Sequence, residues 1–239
     1  MRVLLFGASG MVGQGVLREC LLDPEVAAIL SIVRKPTGRT DRKLREIVHP
    51  HFLDFSPIES ELSGFDAGFF CAGVSSAGMT EEEYRRVTYD QTMAAAGVLA
   101  RLNPQMTFVY VSGAGTDSTE NGRTMWARVK GRTENALLRL SFRSAYMFRP
   151  ALIQPLHGIR SGTRAYRVLY GLLGPLLPIL RVLLPGFVTT TERLGRAMLE
   201  VAKNGAPARV LNTPDINALA KGDARREATP SHPTANPCP

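Results

Sequence analysis

The chain has 239 residues, 44% of them hydrophobic, and a net charge of +8 at pH 7. This length and apolar content favour a single domain with one substantial core. The cysteines Cys20, Cys71 and Cys238 lie far apart, without a CxxC pattern or histidines at metal-ligand spacing, so neither disulfides nor a metal site is expected. With no signal-peptide pattern at the N-terminus, we expect a cytoplasmic location.

An uninterrupted apolar run, Arg2–Phe6, opens the chain and predicts a buried strand. The sequence Gly-Ala-Ser-Gly-Met-Val-Gly follows it. Gly7 allows a sharp turn, Gly10 allows backbone N–H groups to approach a pyrophosphate, and Gly13 allows the next helix to pack closely on the strand. This pattern predicts a nucleotide cofactor, with a purely structural glycine turn as the alternative. The residues predicted to bind the cofactor here are Gly7, Ser9, Gly10, Met11, Val12 and Gly13.

Strands and helices alternate through the next part of the chain. The predicted strands span residues 27–33, 51–55, 67–71, 106–112 and 145–148, and the predicted helices span residues 11–22, 80–102 and 126–140. Alternation at this spacing indicates βαβ units with right-handed crossovers. The predicted fold class is therefore α/β, a Rossmann-type doubly wound parallel sheet with a small C-terminal substrate lobe. We expect one NAD(P)-binding domain over residues 1–212.

Prolines interrupt the apolar region that follows Arg149, and we expect a substrate or lid insertion at residues 150–190. Its apolar run is too short and too broken by glycine and proline for a spanning helix. Residues 168–188 are therefore predicted either to form a lid packed on the sheet or to make peripheral contact with a membrane.

The end of the chain has three further predicted features. Thr190–Glu192 has the composition of a helix start, and that helix is expected to run to about residue 204. Arg209–Asn212 is predicted to be a short edge strand. Residues 213–239 are rich in Pro, Ala, Thr and basic residues, so we predict a disordered tail.

The positive charge is concentrated between Glu134 and Glu192, where no acidic residue occurs. The arginines of this stretch are Arg139, Arg143, Arg149, Arg160, Arg164, Arg167 and Arg181. A segment of one sign favours an anionic small-molecule substrate, and a set of solvated arginines is the alternative. Nucleic acid is not expected, because no aromatic stacking platform or recognition-helix pattern accompanies the arginines.

These features together resemble the short-chain dehydrogenase/reductase superfamily. Within it, they are most similar to the atypical branch of Tat-interacting oxidoreductase-like proteins and NAD-dependent epimerases. The resemblance covers about residues 1–205 and rests on residues 7–13, Cys71–Gly73, Val111–Gly113, Lys130 with Gly131, Arg149 with Pro150, and Glu192–Val201. It implies an oxidoreductase or epimerase with a small carbonyl or sugar-type substrate. The oligomeric state stays open.

The resemblance implies that Ser112 polarises a substrate carbonyl and that Lys130 binds the cofactor ribose. A tyrosine is expected four residues before the lysine, where one helix face brings the phenol beside the ammonium. This chain has Trp126 there, and indole has no acid or base function near neutral pH. Trp126, Ser75 and Tyr89 are the predicted substrate-pocket residues, although an aromatic packed between helix and sheet is the alternative for Tyr89.

The replacement of the tyrosine leaves three interpretations open. Tyr89, a loop hydroxyl or a water bound to Lys130 could supply the proton. Alternatively, the domain is a catalytically silent, nucleotide-responsive interaction module. In the third interpretation, the helix register is different or the reaction needs no such acid.

Cofactor choice is predicted from the end of the second strand, where Arg34 and Lys35 stand in place of an acidic residue. An acid there binds a free ribose 2′-hydroxyl and an arginine accommodates a 2′-phosphate, so NADP(H) is favoured over NAD(H). A solvated basic loop is the alternative.

The remaining cofactor contacts come from the resemblance. Asp54 and Phe55 match the place where the superfamily binds adenine, although a lone Asp at a strand end could also cap a turn. The turn Cys71, Ala72 and Gly73 would approach the ribose. Pro150 and Ala151 would lie near the nicotinamide.

Overall fold

The computed structural model describes residues 1–159, 184 and 186–227. In this part of the chain, seven parallel strands form the central sheet, in the spatial order β3-β2-β1-β4-β5-β6-β9. The sheet strands are β1 (Arg2–Phe6), β2 (Ala28–Val33), β3 (Leu44–Val48), β4 (Ala67–Phe70), β5 (Thr107–Val111), β6 (Ser144–Arg149) and β9 (Val210–Asn212). A separate parallel pair consists of β7 (Leu152–Gln154) and β8 (Val188–Thr190). The predicted Rossmann-type fold class is confirmed.

Helices cover both faces of the sheet. They are α1 (Met11–Leu22), α2 (Glu81–Arg85), α3 (Gln91–Leu102), α4 (Met125–Leu138), α5 (Thr191–Asn204) and α6 (Thr213–Glu227). One buried apolar cluster joins α1, α5 and α6 to one face, and a second joins α3 and α4 to the other. Strands buried on both faces explain the continuous apolar runs of β1 and β4.

The helix predicted over residues 80–102 is present, but it is interrupted by a π-helical turn, Arg86–Asp90. Its predicted capping box is confirmed: the Thr80 side chain accepts from the Glu83 backbone N–H, and the Glu83 carboxylate accepts from the Thr80 backbone N–H. Thr190 likewise accepts from the Arg193 N–H at the start of α5, as the sequence predicted. The predicted edge strand near Arg209 is also present as β9.

The predicted strand at residues 51–55 is wrong. The third strand is β3, Leu44–Val48, which pairs with β2 at the edge of the sheet. Phe52 and Phe55 instead pack their rings edge-on against Phe6, with centroid distances of 6.0 and 5.9 Å. Their apolar character serves the core rather than a strand.

The predicted disordered tail is wrong for residues 213–227, which form α6. Ile216 and Ala220 are buried because a spacing of four residues brings both side chains to one helix face, against the sheet. Residues 228–239 lie outside the described part of the chain.

The predicted lid falls mostly outside the described residues, so this prediction stays open. What is described of residues 150–190 includes β7 and β8, a two-stranded sheet that the sequence did not predict. Across the described ranges, no helix has both the length and the apolar character needed to cross a membrane.

Candidate cofactor cleft

A cleft lies at the carboxyl ends of β1, β2 and β4, where the strand order reverses between β1 and β4. Ligands of doubly wound sheets bind at such a reversal. The cleft brings together seven residues that the sequence predicted to bind a cofactor, namely Gly7, Ser9, Gly10, Arg34, Cys71, Ala72 and Gly73. Ile32, Val33, Phe52, Phe70, Val74, Val87 and Gln91 complete its lining.

The glycine turn has the geometry that the sequence predicted. Gly7 has a φ of +84°, in the left-handed region that favours glycine. A Cβ on Gly13 would lie 2.0 Å from the Gly7 carbonyl oxygen, so only glycine allows α1 to pack this closely on the turn. A Cβ on Gly10 would meet only that same oxygen, at 3.3 Å, so its remaining surroundings are open.

The start of α1 is suited to an anion. No side chain caps Gly10, and the first turn of α1 contains no acidic residue. The first N–H groups of a helix lack intrahelical acceptors and carry the positive end of the helix dipole. The open space at Gly10 and these N–H groups together fit a pyrophosphate, as in dinucleotide-binding folds. The bound dinucleotide would supply the hydride donor or acceptor of a redox step.

The adenosine end of the cleft differs from the sequence prediction. Phe52 lines the cleft, whereas Phe55 is 2% exposed and packs on His49 in the core. Asp54 accepts from the Ser56 backbone N–H, which holds the pKa of its carboxyl below the usual range. Asp54 thus caps a turn, and neither Asp54 nor Phe55 lines the cleft. Their assignment to adenine stays a prediction.

Arg34 lines the cleft and is exposed. Its guanidinium has no hydrogen-bond or ion-pair partner among the described residues. Lys35, next to it, is exposed outside the cleft lining. Cys71 lies on the opposite wall at the end of β4, and burial raises the pKa of its thiol. The cleft therefore offers a cation at its β2 end and a neutral wall at β4.

Ser112 and Lys130 do lie together, because the Lys130 ammonium donates to the Ser112 backbone carbonyl. Burial lowers the pKa of Lys130 from its ordinary value of 10.5 to about 8, against the opposing effect of Glu134. The Ser112 hydroxyl is within hydrogen-bond distance of the Glu134 carboxylate and, at 3.1 Å, of the Phe148 carbonyl. Both are acceptors, so its single proton is directed into the protein.

Ser112 is 7% exposed, and in this structure its hydroxyl donates within the protein. Its predicted role in polarising a substrate carbonyl stays a prediction. The acceptor, Glu134, is 1% exposed and forms a bidentate pair with Arg149. The sequence analysis did not predict this pair. Its one signal in the sequence is that Glu134 follows Lys130 by four residues, which places both on the same face of α4.

The lining of the cleft does not include five further residues that the sequence predicted for the site, Trp126, Tyr89, Ser75, Pro150 and Ala151. Trp126 packs near the loop after β5, where a Cβ on Gly115 would lie 3.3 Å from the indole. Tyr89 is half-buried on the π turn, and Ser75 is exposed. Pro150 and Ala151 are held by backbone contacts: the Pro150 carbonyl accepts from Ala114 N–H, and the Ala151 N–H donates to the Thr213 hydroxyl.

The arginines that suggested an anionic substrate have protein partners where the structure describes contacts for them. Arg149 pairs with Glu134, and Arg143 donates to the Thr107 hydroxyl. The remaining arginines of the stretch that lie between residues 160 and 183 fall outside the described ranges. Part of the positive charge of this segment therefore forms contacts within the protein and does not face a ligand.

Comparison with curated proteins gives weak sequence relatives. The chain is 29% identical over 161 residues to the protein fmp52, mitochondrial, of Emericella nidulans, covering 63% of this chain and 66% of that protein. It is 28% identical over 155 residues to FMP52, mitochondrial, of Eremothecium gossypii, covering 64% and 66%. The matches thus span slightly less than two thirds of these relatives. No protein-family model matches the chain.

The names of these relatives correct one expectation. Both are named as mitochondrial proteins, which contradicts the cytoplasmic location expected from the sequence. The expectation rested on cysteine usage and the absence of a signal-peptide pattern. Neither feature distinguishes the cytoplasm from a mitochondrial compartment.

Solved structures are similar over nearly the whole chain. The Bordetella bronchiseptica enzyme WbmF in complex with NAD+ superimposes with a TM-score of 0.65 at 15% identity, covering 99% of this chain and 81% of that one. A short-chain dehydrogenase/reductase from Saccharomyces cerevisiae gives a TM-score of 0.66 at 12% identity, covering 92% and 98%. A UDP-glucose 4-epimerase gives a TM-score of 0.65 at 16% identity, covering 95% and 82%. This chain has the fold of the short-chain dehydrogenases/reductases and NAD-dependent epimerases.

Proposed function

We propose that this protein binds a nicotinamide dinucleotide and acts as an oxidoreductase or epimerase-like enzyme on a small molecule. The observation that carries the proposal is the cleft at the strand-order reversal. There, the uncapped start of α1, the open space at Gly10 and the turn at Cys71–Gly73 lie on one site. The neighbours named as NAD complexes have this fold, which supports the same cofactor class.

We further propose that NADP(H) is preferred over NAD(H). Arg34 provides a cation in the cleft where a ribose-binding acid would stand. Arg34→Ala should weaken NADPH binding at least about tenfold, the loss expected for a hydrogen bond to a charged group, and leave NADH binding within twofold. Arg39→Ala, in the exposed loop beyond the cleft, is the matched control. Equal loss for both nucleotides would overturn the proposed preference.

Lys130 is the best-supported proton-handling group for such an enzyme. Its lowered pKa of about 8 lies close to neutral pH, where proton transfer is most effective. Trp126 cannot take this role. In this proposal a water bound to Lys130 relays the proton.

We also propose that the substrate is anionic, on the basis of the arginines after residue 134.

One observation favours a second function, a catalytically silent module whose partner interactions respond to nucleotide. The Ser112 proton is directed at Glu134, and the residue four before Lys130 is Trp126. A screen of aldehydes, ketones and nucleotide sugars, read by NADPH oxidation and product formation, separates the two. Turnover abolished by Lys130→Ala supports the enzyme, whereas saturable nucleotide binding without turnover supports the module.

A further inference from the structure

The far wall of the cofactor cleft contains Gln91, which sequence reasoning did not select. Gln91 is half-buried at the start of α3 and lines the same cleft as Gly10. Within the described part of the chain, its side-chain amide makes no hydrogen bond. A carboxamide carries two donors and one acceptor, so it is equipped to bind a polar ligand.

The two walls reach the cleft from opposite faces of the sheet. Helix α1, which follows Gly10, packs in the apolar cluster on one face, whereas α3 packs in the cluster on the other. A dinucleotide lying across the carboxyl ends of β1 and β4 is therefore accessible from both faces. Gln91 is the polar side chain that the α3 side presents to the cleft, next to the apolar Val87.

The π turn explains why this helix face borders the cleft. The Gln91 backbone N–H donates to the Arg86 carbonyl, five residues earlier. Tyr84, Thr88 and Thr92 are all buried, at a strict spacing of four residues. In a regular α-helix this spacing drifts by about 40° at each step, because one turn takes 3.6 residues.

The extra residue of the π turn offsets that drift. Tyr84, Thr88 and Thr92 therefore stay on one buried face from α2 into α3. Val87 and Gln91, which are also four residues apart, share the neighbouring face that borders the cleft. The Arg85–Asp90 ion pair, at 3.2 Å, spans the same turn. π turns inside helices are frequent at functional sites, which is consistent with a ligand at this wall.

We propose that the Gln91 carboxamide hydrogen-bonds the bound dinucleotide from the α3 side, opposite the glycine turn. This inference rests on the proposed cofactor function. It adds a contact from a side chain that neither the glycine pattern nor the resemblance assigned. The carboxamide reaches either a pyrophosphate oxygen, as a donor, or a ribose hydroxyl.

The test is calorimetric titration of the full chain with NADPH and with NADH. Gln91→Leu, which keeps the size and removes the polar group, should weaken binding of both nucleotides about tenfold. Gln105→Leu is the matched control, since Gln105 is exposed in the turn that precedes β5, at the opposite end of the sheet. Gln105→Leu should bind within twofold of the original chain.

The outcomes separate this inference from the cofactor proposal. If the original chain binds neither nucleotide, the cofactor proposal fails. If it binds, and Gln91→Leu binds equally well, only the role of Gln91 is overturned. If Gln91→Leu binds more weakly, the contact is supported, and Gln91→Glu identifies the contacted group. A loss larger than that of Gln91→Leu supports a phosphate, whereas retained affinity supports a ribose hydroxyl.

Discussion

Substitution of Gly13 tests the geometry of the glycine turn against its proposed role in binding. In Gly13→Ala the new Cβ would lie 2.0 Å from the Gly7 oxygen and 2.5 Å from the Gly7 carbonyl carbon. Both atoms belong to the backbone, so α1 and the turn must separate by about 1 Å before the contact becomes tolerable. Overpacking of this kind costs about 1–3 kcal/mol.

The expected thermal shift follows from the chain length. At about 2–4 °C per kcal/mol for a protein of this size, Gly13→Ala should lower Tm by about 2–12 °C. Gly10→Ala should lower Tm less than Gly13→Ala, because its Cβ would meet only one backbone atom, at 3.3 Å. It should nevertheless weaken NADPH binding about tenfold, since the methyl group takes the space proposed for the pyrophosphate.

Gly97→Ala is the matched control for both. Gly97 lies inside α3, and its Cβ would have no atom within 4 Å. Alanine is favoured over glycine in a helix by up to about 1 kcal/mol, so Tm should stay level or rise. Circular-dichroism melts and calorimetric titrations measure the three variants. An unchanged Tm for Gly13→Ala, or equal destabilisation by Gly10→Ala, would contradict the close packing of α1 against the Gly7 backbone.

Three further predictions concern the surroundings of the site. Glu134→Gln should destabilise the fold by about 3–5 kcal/mol, because Arg149 loses its buried counter-charge. Glu120→Gln, at the more exposed Arg132 pair, is the control and should cost at most about 1 kcal/mol. Equal denaturation midpoints for the two variants would contradict this. The pKa of Lys130 is lowered to about 8 in the folded chain, so the unfolded chain binds this proton more tightly. The free energy of unfolding, relative to that of Lys130→Met, should therefore rise from pH 8 to 10.5 by up to about 1.4 kcal/mol per pH unit. If urea unfolding shows that this difference does not change with pH, the pKa is not lowered. Thr190→Ala should cost about 1 kcal/mol through the lost cap of α5, and Thr119→Ala, in an exposed loop, gives the comparison by thermal unfolding.

The sequence predicted those parts of the fold that have a local signal. The apolar runs of β1, β2, β4 and β5 are buried on both faces. The caps at Thr80 and Thr190 use side chains next to the helix they start. The third strand was misplaced because β3 is a half-exposed edge strand, in which Arg45 and Glu46 interrupt the apolar pattern. The rings at residues 52 and 55 gave a stronger apolar signal.

The features that sequence reasoning missed depend on contacts between distant segments. The Glu134 carboxylate meets Arg149 and Ser112 only after β5, α4 and β6 have assembled. The π turn places Gln91 through a backbone hydrogen bond that has no sequence motif. Helix α6 was assigned to the tail by composition, although Ile216 and Ala220 have helical spacing.

The most direct test of the central claim is a calorimetric titration of the full chain with NADPH, repeated with NADH, while the fluorescence of Trp126 is followed. Trp126 is the only tryptophan in the sequence, so any change in emission reports on the loop after β5. We expect saturable binding of one nucleotide per chain, with tighter binding of NADPH than of NADH and weaker binding of both by Gly10→Ala. Absence of heat and of any change in emission with either nucleotide, from a chain that melts cooperatively, would contradict it.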